Sequence, residues 1–413
     1  MKVRTFIWLM LTFSVTSNSI AQDDFTMEKY LATALKDQSL ELFQAQASFL
    51  EDNNYNFPWI NRVDVRIGSD RTDRSVEEFR LRLSPSNPAE VKANKEYHDK
   101  HQKSIATNYQ IALNDALKNR YELLLQYHYF TTLLARLEQN LVDLTSLNQT
   151  LSSTNIEKIN AGDIIEIQEN QSALMLRIDE LKYQKEQVEY FIALDMPDSS
   201  PSMNESLLIS IDQIRSYLQS RESHTAAMNL SIKEAEDDLM LSEQMLRIEK
   251  AEAWSNIGFI QGVYDIGRGN EINEHIGFQI GVRLPIVNPD KPKIQREQIE
   301  LLEDEMELSA TKDVVSKKRD LLILRLTHLL NQSETLNERI KMANDVAPQN
   351  SSGLDLAQLL KIKKYKNKLS EQRLSLDKNL REAFIDYLDL SGYLIEKPLV
   401  NYLSSDFSKI EKN

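Results

Sequence analysis

The sequence predicts a mostly α-helical, elongated fold with a small β part, arranged as two tandem repeats. Three observations predict it. Glycine and proline number only ten each in 413 residues, and they cluster, leaving long uninterrupted stretches of helix formers. The spacing Arg-Leu, three residues, Asn-Pro, three residues, Lys occurs twice, half a chain apart: Arg82, Leu83, Asn87, Pro88 and Lys92, then Arg283, Leu284, Asn288, Pro289 and Lys293. Before each of these corners the residues alternate with period two, as a strand with one apolar face requires. Pro88 and Pro289 can each start a helix, because a first-turn residue needs no N–H partner.

At the N-terminus, Lys2 and Arg4 precede an apolar run from Phe6 to about Val15, and Ser19-Ile20-Ala21 precede Gln22. This pattern reads as a secretory signal over residues 1–21, the run being too short for a membrane anchor. No other stretch is apolar enough to span a bilayer as a helix, so membrane contact would have to be made by strands. Without the signal, 47 Lys and Arg face 63 Asp and Glu, a net of −16. That balance argues against nucleic acid as a partner. Cysteine is absent, which excludes disulfides, a lipidated N-terminal cysteine, thiolate metal sites and a cysteine nucleophile.

The first repeat covers residues 22–200. Met27 to about Asn53 reads as one amphipathic helix. Strands are expected at about 60–68 and 76–84, joined by the polar link Gly68 to Ser75. Val63, Val65 and Ile67 share one face of the first, and Arg62, Asp64 and Arg66 the other. In the second, Phe79, Leu81 and Leu83 oppose Arg80 and Arg82. From Pro88 to about Ser153 no further proline or glycine occurs, and a helix of that span is about 100 Å long. Its second half carries a seam at Leu134, Leu137, Leu141, Leu144 and Leu151, broken by Asn148, which suits a coiled coil. The chain reverses at Asn155 to Gly162, and a helix capped by Asp163 returns to about Leu194 with Leu174, Ile178, Leu181, Val188 and Ile192 on a matching seam. This makes a helical hairpin over 88–194.

Residues 201–222 read as a linker with a short helix near Ile211 to Leu218. The second repeat, 223–395, restarts the order: a helix from about Thr225 to Ala253, strands at about 254–264 and 275–285, and a hairpin over 289–394 that reverses through Pro348 to Gly353. In its last strand Ile276, Phe278, Ile280, Val282 and Leu284 face one way, and Gly277, Gln279, Gly281 and Arg283 the other. The tail, 396–413, carries no pattern.

Nine to eleven residues is the length of a tilted membrane-spanning strand. Four such strands leave open edges that lipid does not tolerate, and single-chain barrels start at about eight strands. Closure requires several chains, and three would supply twelve strands.

The order signal, helix, two strands, long helical hairpin, linker and the same again resembles the TolC-like outer membrane efflux proteins over nearly the whole mature chain. The most specific pieces are Gly281-Val282-Arg283-Leu284-Pro285-Ile286, similar to that family's strand-end corner, and the two reversals Gly162-Asp163-Ile164-Ile165 and Gly353-Leu354-Asp355-Leu356. The resemblance implies a homotrimer forming a twelve-stranded barrel in the outer membrane of a Gram-negative bacterium and a periplasmic helical tunnel, docked to a periplasmic adaptor protein and an inner-membrane pump. The chain departs from that family in its small linker and tail and in its arginine-rich first strand pair.

In such a barrel Val63, Val65, Ile67, Phe79, Leu81, Leu83, Ile276, Phe278, Ile280, Val282 and Leu284 would meet lipid. Arg62, Arg66, Arg80, Arg82, Gln279 and Arg283 would line the lumen. The hairpin tips offer Gly162, Asp163, Asp345, Gly353 and Asp355 as gate and tip positions. Asp355 has the simpler role of capping its helix, whereas Asp345 sits at a helix C-terminus where the dipole disfavours a carboxylate. The other reading is a periplasmic coiled-coil scaffold without a pore. Motifs for catalysis or nucleotide binding are missing, no cofactor or metal is expected, and His98 with His101 read as a solvated helix face.

Overall fold

The computed structural model describes residues 25–53, 58–69, 76–153, 161–197, 199, 201–203, 207–221, 229–253, 257–268, 272–282, 290–346 and 356–410. The expected signal segment, 1–21, lies outside them.

The chain begins with α1 (Met27–Ala32), capped by Thr26, whose hydroxyl accepts from Lys29 N at 3.2 Å. A single helix to Asn53 was the expectation, and the structure breaks it. A 3₁₀ turn over Thr33–Lys36 leads to an extended Asp37, and α2 (Gln38–Asp52) starts afresh. The reason is local. Asp37 accepts from the Ser39 backbone N at 3.0 Å and its hydroxyl at 2.8 Å, and pairs with Arg120 at 3.0 Å. Capping and ion pairing at Asp37 outweigh helix continuation. Burial alone would raise the Asp37 carboxyl, but these hydrogen bonds and the Arg120 charge hold it below the usual carboxylate range.

Strands β1 (Ile60–Ser69) and β2 (Val76–Pro85) form an antiparallel hairpin. The helix α3 (Pro88–Ser153) then runs 66 residues unbroken. Asn87 caps it, accepting from Ala89 N at 3.0 Å, so Pro88 opens the helix where its missing N–H is harmless. The return helix α4 (Ala161–Asp195) packs along the second half of α3. Leu137, Ile178 and Leu181 are buried in their seam, together with Leu133 and with Leu374 of the second repeat. Where Asn148 interrupts the seam, Gln171 takes its place: its amide donates to Thr145 Oγ1 at 3.3 Å and its carbonyl accepts from Asn148 Nδ2 at 3.4 Å.

The second repeat repeats the order as α6 (Leu230–Ala253), β3 (Ile257–Arg268), β4 (Ile272–Val282), α7 (Lys291–Val346) and α8 (Leu356–Leu390). Between the repeats lies α5 (Ile211–Arg221). The strands of the second hairpin run nearer to their turn than the expected limits at 264 and 275, with Gly267 inside β3. Asp265, Ile266, Gly267 and Arg268 pair with His275, Glu274, Asn273 and Ile272, and Val76 to Glu78 of β2 extend the same ladder. Backbone pairing carries the strands through polar residues that period-two reading excludes. Helix α7 takes its first backbone bond from Ile294 N to Asp290 O at 3.0 Å, so Asp290 precedes it. Pro289, the expected start, lies outside the described residues.

The sheet is a meander, β1-β2-β3-β4, so β2 and β3 join the two repeats directly. Helix α3 packs against both α4 and α6, and α7 against both α6 and α8. The main core sits at mid-length, away from sheet and tips. It gathers α1, the middle of α3, α5, the end of α8 and the tail around Tyr30, Leu117, Tyr121, Leu124 and Phe384. Sequence pattern missed this belt. Ile209 N donates to Leu403 O at 2.8 Å, Tyr121 donates to Val400 O at 3.0 Å and accepts from Tyr402 N at 3.1 Å, and Leu403 is wholly buried.

One buried cation ties the belt together. Arg120, 5% exposed, bonds Thr33 Oγ1 at 2.7 Å, Asp37 at 3.0 Å and Asp195 Oδ1 at 3.1 Å, while Tyr30 donates to the other Asp195 oxygen at 3.2 Å. It thus joins both ends of the first repeat to α3.

Candidate functional site

The ladder fixes which side chains share a face of the sheet. Val63, Val65 and Ile67 stand opposite Leu83, Leu81 and Phe79; these stand opposite Ile260, Gly262 and Tyr264, which stand opposite Ile280, Phe278 and Ile276. One continuous apolar face results, running across all four strands. It is also uncovered: Ile276 is 85% exposed, Phe278 75% and Ile67 73%. An apolar face of this extent left open marks a surface meant for lipid or protein.

The other face is polar and partly enclosed. Asp64 and Arg82 stand opposite each other, followed by Gln261 and Gln279; Arg66 stands opposite Arg80, followed by Val263 and Gly277. Gln261 is only 8% exposed and Val263 9%, as the inside of a curved sheet would be. Arg62 pairs with Asp64 at 2.8 Å, and Arg80 with Glu78. The Arg82 guanidinium lies 3.7 Å over the centre of the Phe259 ring, which fills the space left by the missing Cβ of Gly281. Arg62, Arg66, Arg80, Arg82 and Gln279 therefore share one face, and the expected lipid-facing residues up to Val282 share the other. Arg283 and Leu284 lie outside the described residues.

Sequence reasoning assigned no faces in β3. Both phases of that strand hold apolar residues, Phe259 and Val263 in one, Ile260 and Tyr264 in the other, so alternation is silent there. Pairing with β2 and β4 decides it.

At the opposite end, Gly162 and Asp163 occupy the first turn of α4, and Asp345 is exposed in the last turn of α7. Gly353 and Asp355 lie outside the described residues. Near these tips, a groove of about 320 Å³ runs between the first hairpin and α8, floored by Leu144, Ala173 and Leu174 and rimmed by Lys361, Lys363, Lys364 and Lys368. Lys363 bonds Asp143 at 2.7 Å, and Arg177 bonds Glu371 at 2.7 Å. Two helices also leave apolar stripes open. Ile165, Leu176, Tyr183, Tyr190 and Leu194 align along α4, and Ile299, Leu302, Met306, Val314, Leu321 and Leu324 along α7, all about half exposed or more.

Charge is distributed unevenly on the helices. Burial lowers the ammonium of Lys118, but contacts to Asp389 at 2.8 Å and Asp386 at 3.2 Å outweigh it and raise Lys118 well above its ordinary value. Between α6 and α7, burial and mutual repulsion raise two carboxyls: Asp238, beside Asp304, Glu307 and Asp237, and Glu234, beside Asp238, Glu307 and Asp115. His101 stacks on Tyr97 at 5.8 Å between ring centres, and no group of three or more His, Asp or Glu able to hold a metal occurs among the described residues. No helix among them is long and apolar enough to cross a membrane.

No family model and no curated protein matches the sequence. Solved structures match over nearly full length. A membrane protein from Pseudomonas aeruginosa is 13% identical with a TM-score of 0.66, covering 88% of this chain and 93% of that one. The open state of the Neisseria gonorrhoeae MtrE outer membrane channel is 13% identical with a TM-score of 0.59, covering 93% and 91%. The outer membrane protein VceC from Vibrio cholerae is 9% identical with a TM-score of 0.62, covering 89% and 96%. The chain shares the fold of these outer membrane proteins, the TolC-like arrangement of long helices continued by a four-stranded β part.

Proposed function

We propose that this chain is the outer membrane channel of a tripartite efflux or type I secretion system in a Gram-negative bacterium, a passive conduit from periplasm to exterior. The observation that carries this reading is the sheet: an uncovered apolar face on one side, a polar face on the other, and open edges at β1 and β4. Lipid satisfies the apolar face, and only pairing with other copies satisfies the edges. Three copies joined β4 to β1 give twelve strands, enough for an aqueous lumen lined by the polar face. The open stripes on α4 and α7 supply the matching contacts between copies below the membrane.

The long helices then extend into the periplasm as a tunnel, with the tips about 100 Å from the sheet. Around one axis, Asp345 from three copies would form a ring of like charge at the entrance, and Asp163 and Asp355 are further tip positions. The lysine-rimmed groove beside the tips, with its apolar floor, suits an amphipathic helix of a periplasmic adaptor, which would connect the channel to an inner-membrane pump. A pore-free periplasmic scaffold would need some element to cover the apolar sheet face.

Fractionation of membranes followed by mass measurement in detergent tests the proposal. A trimer in the outer membrane fraction is expected. A soluble periplasmic monomer would overturn it.

A further inference from the structure

The polar face of the sheet is not uniformly charged. Its charges are sorted by depth along the strands. Farthest from the helices, Glu78 stands opposite Asp265, which stands opposite His275. One step nearer, Arg66 stands opposite Arg80, and the rest of that row is Val263 and Gly277. The step after that holds Asp64 and Arg82, then Gln261 and Gln279.

From this sorting we infer that the arginines of this face form an anion-selective band, and that the channel favours anionic solutes as cargo. The inference rests on the reading of the polar face as a lumen wall. Residues directly opposite on antiparallel strands have Cβ atoms about 5 Å apart, and like charges there are destabilising. A face serving only solubility has no reason to hold such a pair, since Lys, Glu or Gln would hydrate equally well.

The neighbouring carboxylates offset these arginines only in part. Asp64 is engaged by Arg62 at 2.8 Å and Glu78 by Arg80. Arg66 is exposed and has no carboxylate within ion-pair distance among the described residues. Arg82 is held by the Phe259 ring rather than by an acid, and its Nε is buried with no hydrogen-bond partner. Its guanidinium is positioned by stacking, so no carboxylate offsets its charge. Val263 and Gly277 complete the row without adding a carboxylate.

Guanidinium groups pair with carboxylate and phosphate oxygens through two parallel hydrogen bonds, which suits oxyanions above halides. The band is not a product of composition either, because the whole chain carries a net charge of −14. In three copies Arg66 and Arg82 would present six guanidinium groups without a carboxylate partner among the described residues to a solute passing through.

The test uses the purified full-length trimer in a planar bilayer, with reversal potential in a KCl gradient and block by inorganic pyrophosphate added on the barrel side. A unit charge about 6 Å away in water changes local ion affinity about threefold. Replacing both Arg66→Gln and Arg82→Gln should shift the reversal potential toward potassium and raise the half-blocking pyrophosphate concentration about tenfold. Arg66→Gln alone should raise it about threefold, and Arg62→Gln and Arg80→Gln, whose charges are already spent on Asp64 and Glu78, should leave it near wild type. Channels that insert and conduct, with potential and block unchanged by the Arg66 and Arg82 substitutions, overturn the anion band and leave the conduit reading intact. Trimers that never conduct overturn the conduit, and the band with it.

Discussion

Placing an arginine along β4 gives a depth-graded measurement of whether the apolar face meets lipid. The strand has 11 residues, and at about 3.4 Å per residue and a tilt of about 40° it spans about 28 Å of membrane normal. That matches an apolar band about 25 Å tall. The middle residue is Gly277, so Phe278 lies about 3 Å from the midplane, and Val282 about 13 Å from it, at the edge of the band. Phe278→Arg should therefore carry nearly the full midplane penalty of about 2–4 kcal/mol per chain, or about 6–12 kcal/mol for a trimer. Ile280→Arg falls between, and Val282→Arg should cost about 0–1 kcal/mol per chain. Gln279 faces the polar side, within 3.4 Å of Gln261, so Gln279→Arg should assemble normally and alter conductance. The assay is trimer yield in the outer membrane at equal expression, with urea unfolding midpoints in lipid vesicles. Assembly of Phe278→Arg at wild-type level, or equal damage from Gln279→Arg, would refute the assignment of faces.

Three further outcomes follow from the periplasmic part. Arg120→Met leaves Asp37 and Asp195 without their shared cation and should lower stability by about 3 kcal/mol in urea unfolding, with partial recovery in Arg120→Lys; an unchanged midpoint would remove Arg120 from the account of the central belt. Two pH effects of opposite sign are expected. The Asp37 carboxyl is depressed in the folded state, so its contribution is present at neutral pH and lost as pH falls through that depressed value, whereas the raised carboxyls of Glu234 and Asp238 bind protons more readily when folded, so the α6–α7 seam gains stability as pH falls from neutral toward the ordinary carboxylate range. Thermal midpoints should accordingly rise on mild acidification and fall again in strong acid, and Asp238→Asn should raise the midpoint at neutral pH and flatten the first phase; a profile identical to wild type would exclude the seam as its source. In single-channel recordings Asp345→Asn should weaken block by divalent cations, and unaltered block would leave the entrance charge elsewhere.

What the residues settled alone were features of short range. A long run without proline or glycine has no alternative to a long helix, and the three-four leucine spacing from Leu134 to Leu144 fixes which side of that helix is sticky. Period-two alternation in β1, β2 and β4 fixed two faces for each strand, because every second side chain must point the same way. Other features depended on partners distant in sequence. Asp37 interrupts a helix because Arg120 lies across from it, far along the chain. The faces of β3 are set by its neighbours, since its own residues are apolar in both phases. Gly267 joins a strand because β2 offers its backbone a partner. The tail looks featureless until Tyr402 and Leu403 meet Tyr121 and Ile209, for burial is a property of what surrounds a residue and not of the residue. The sorting of charge into an acidic row and an arginine row arises in the same way. It depends on register, and register exists only once the four strands are paired.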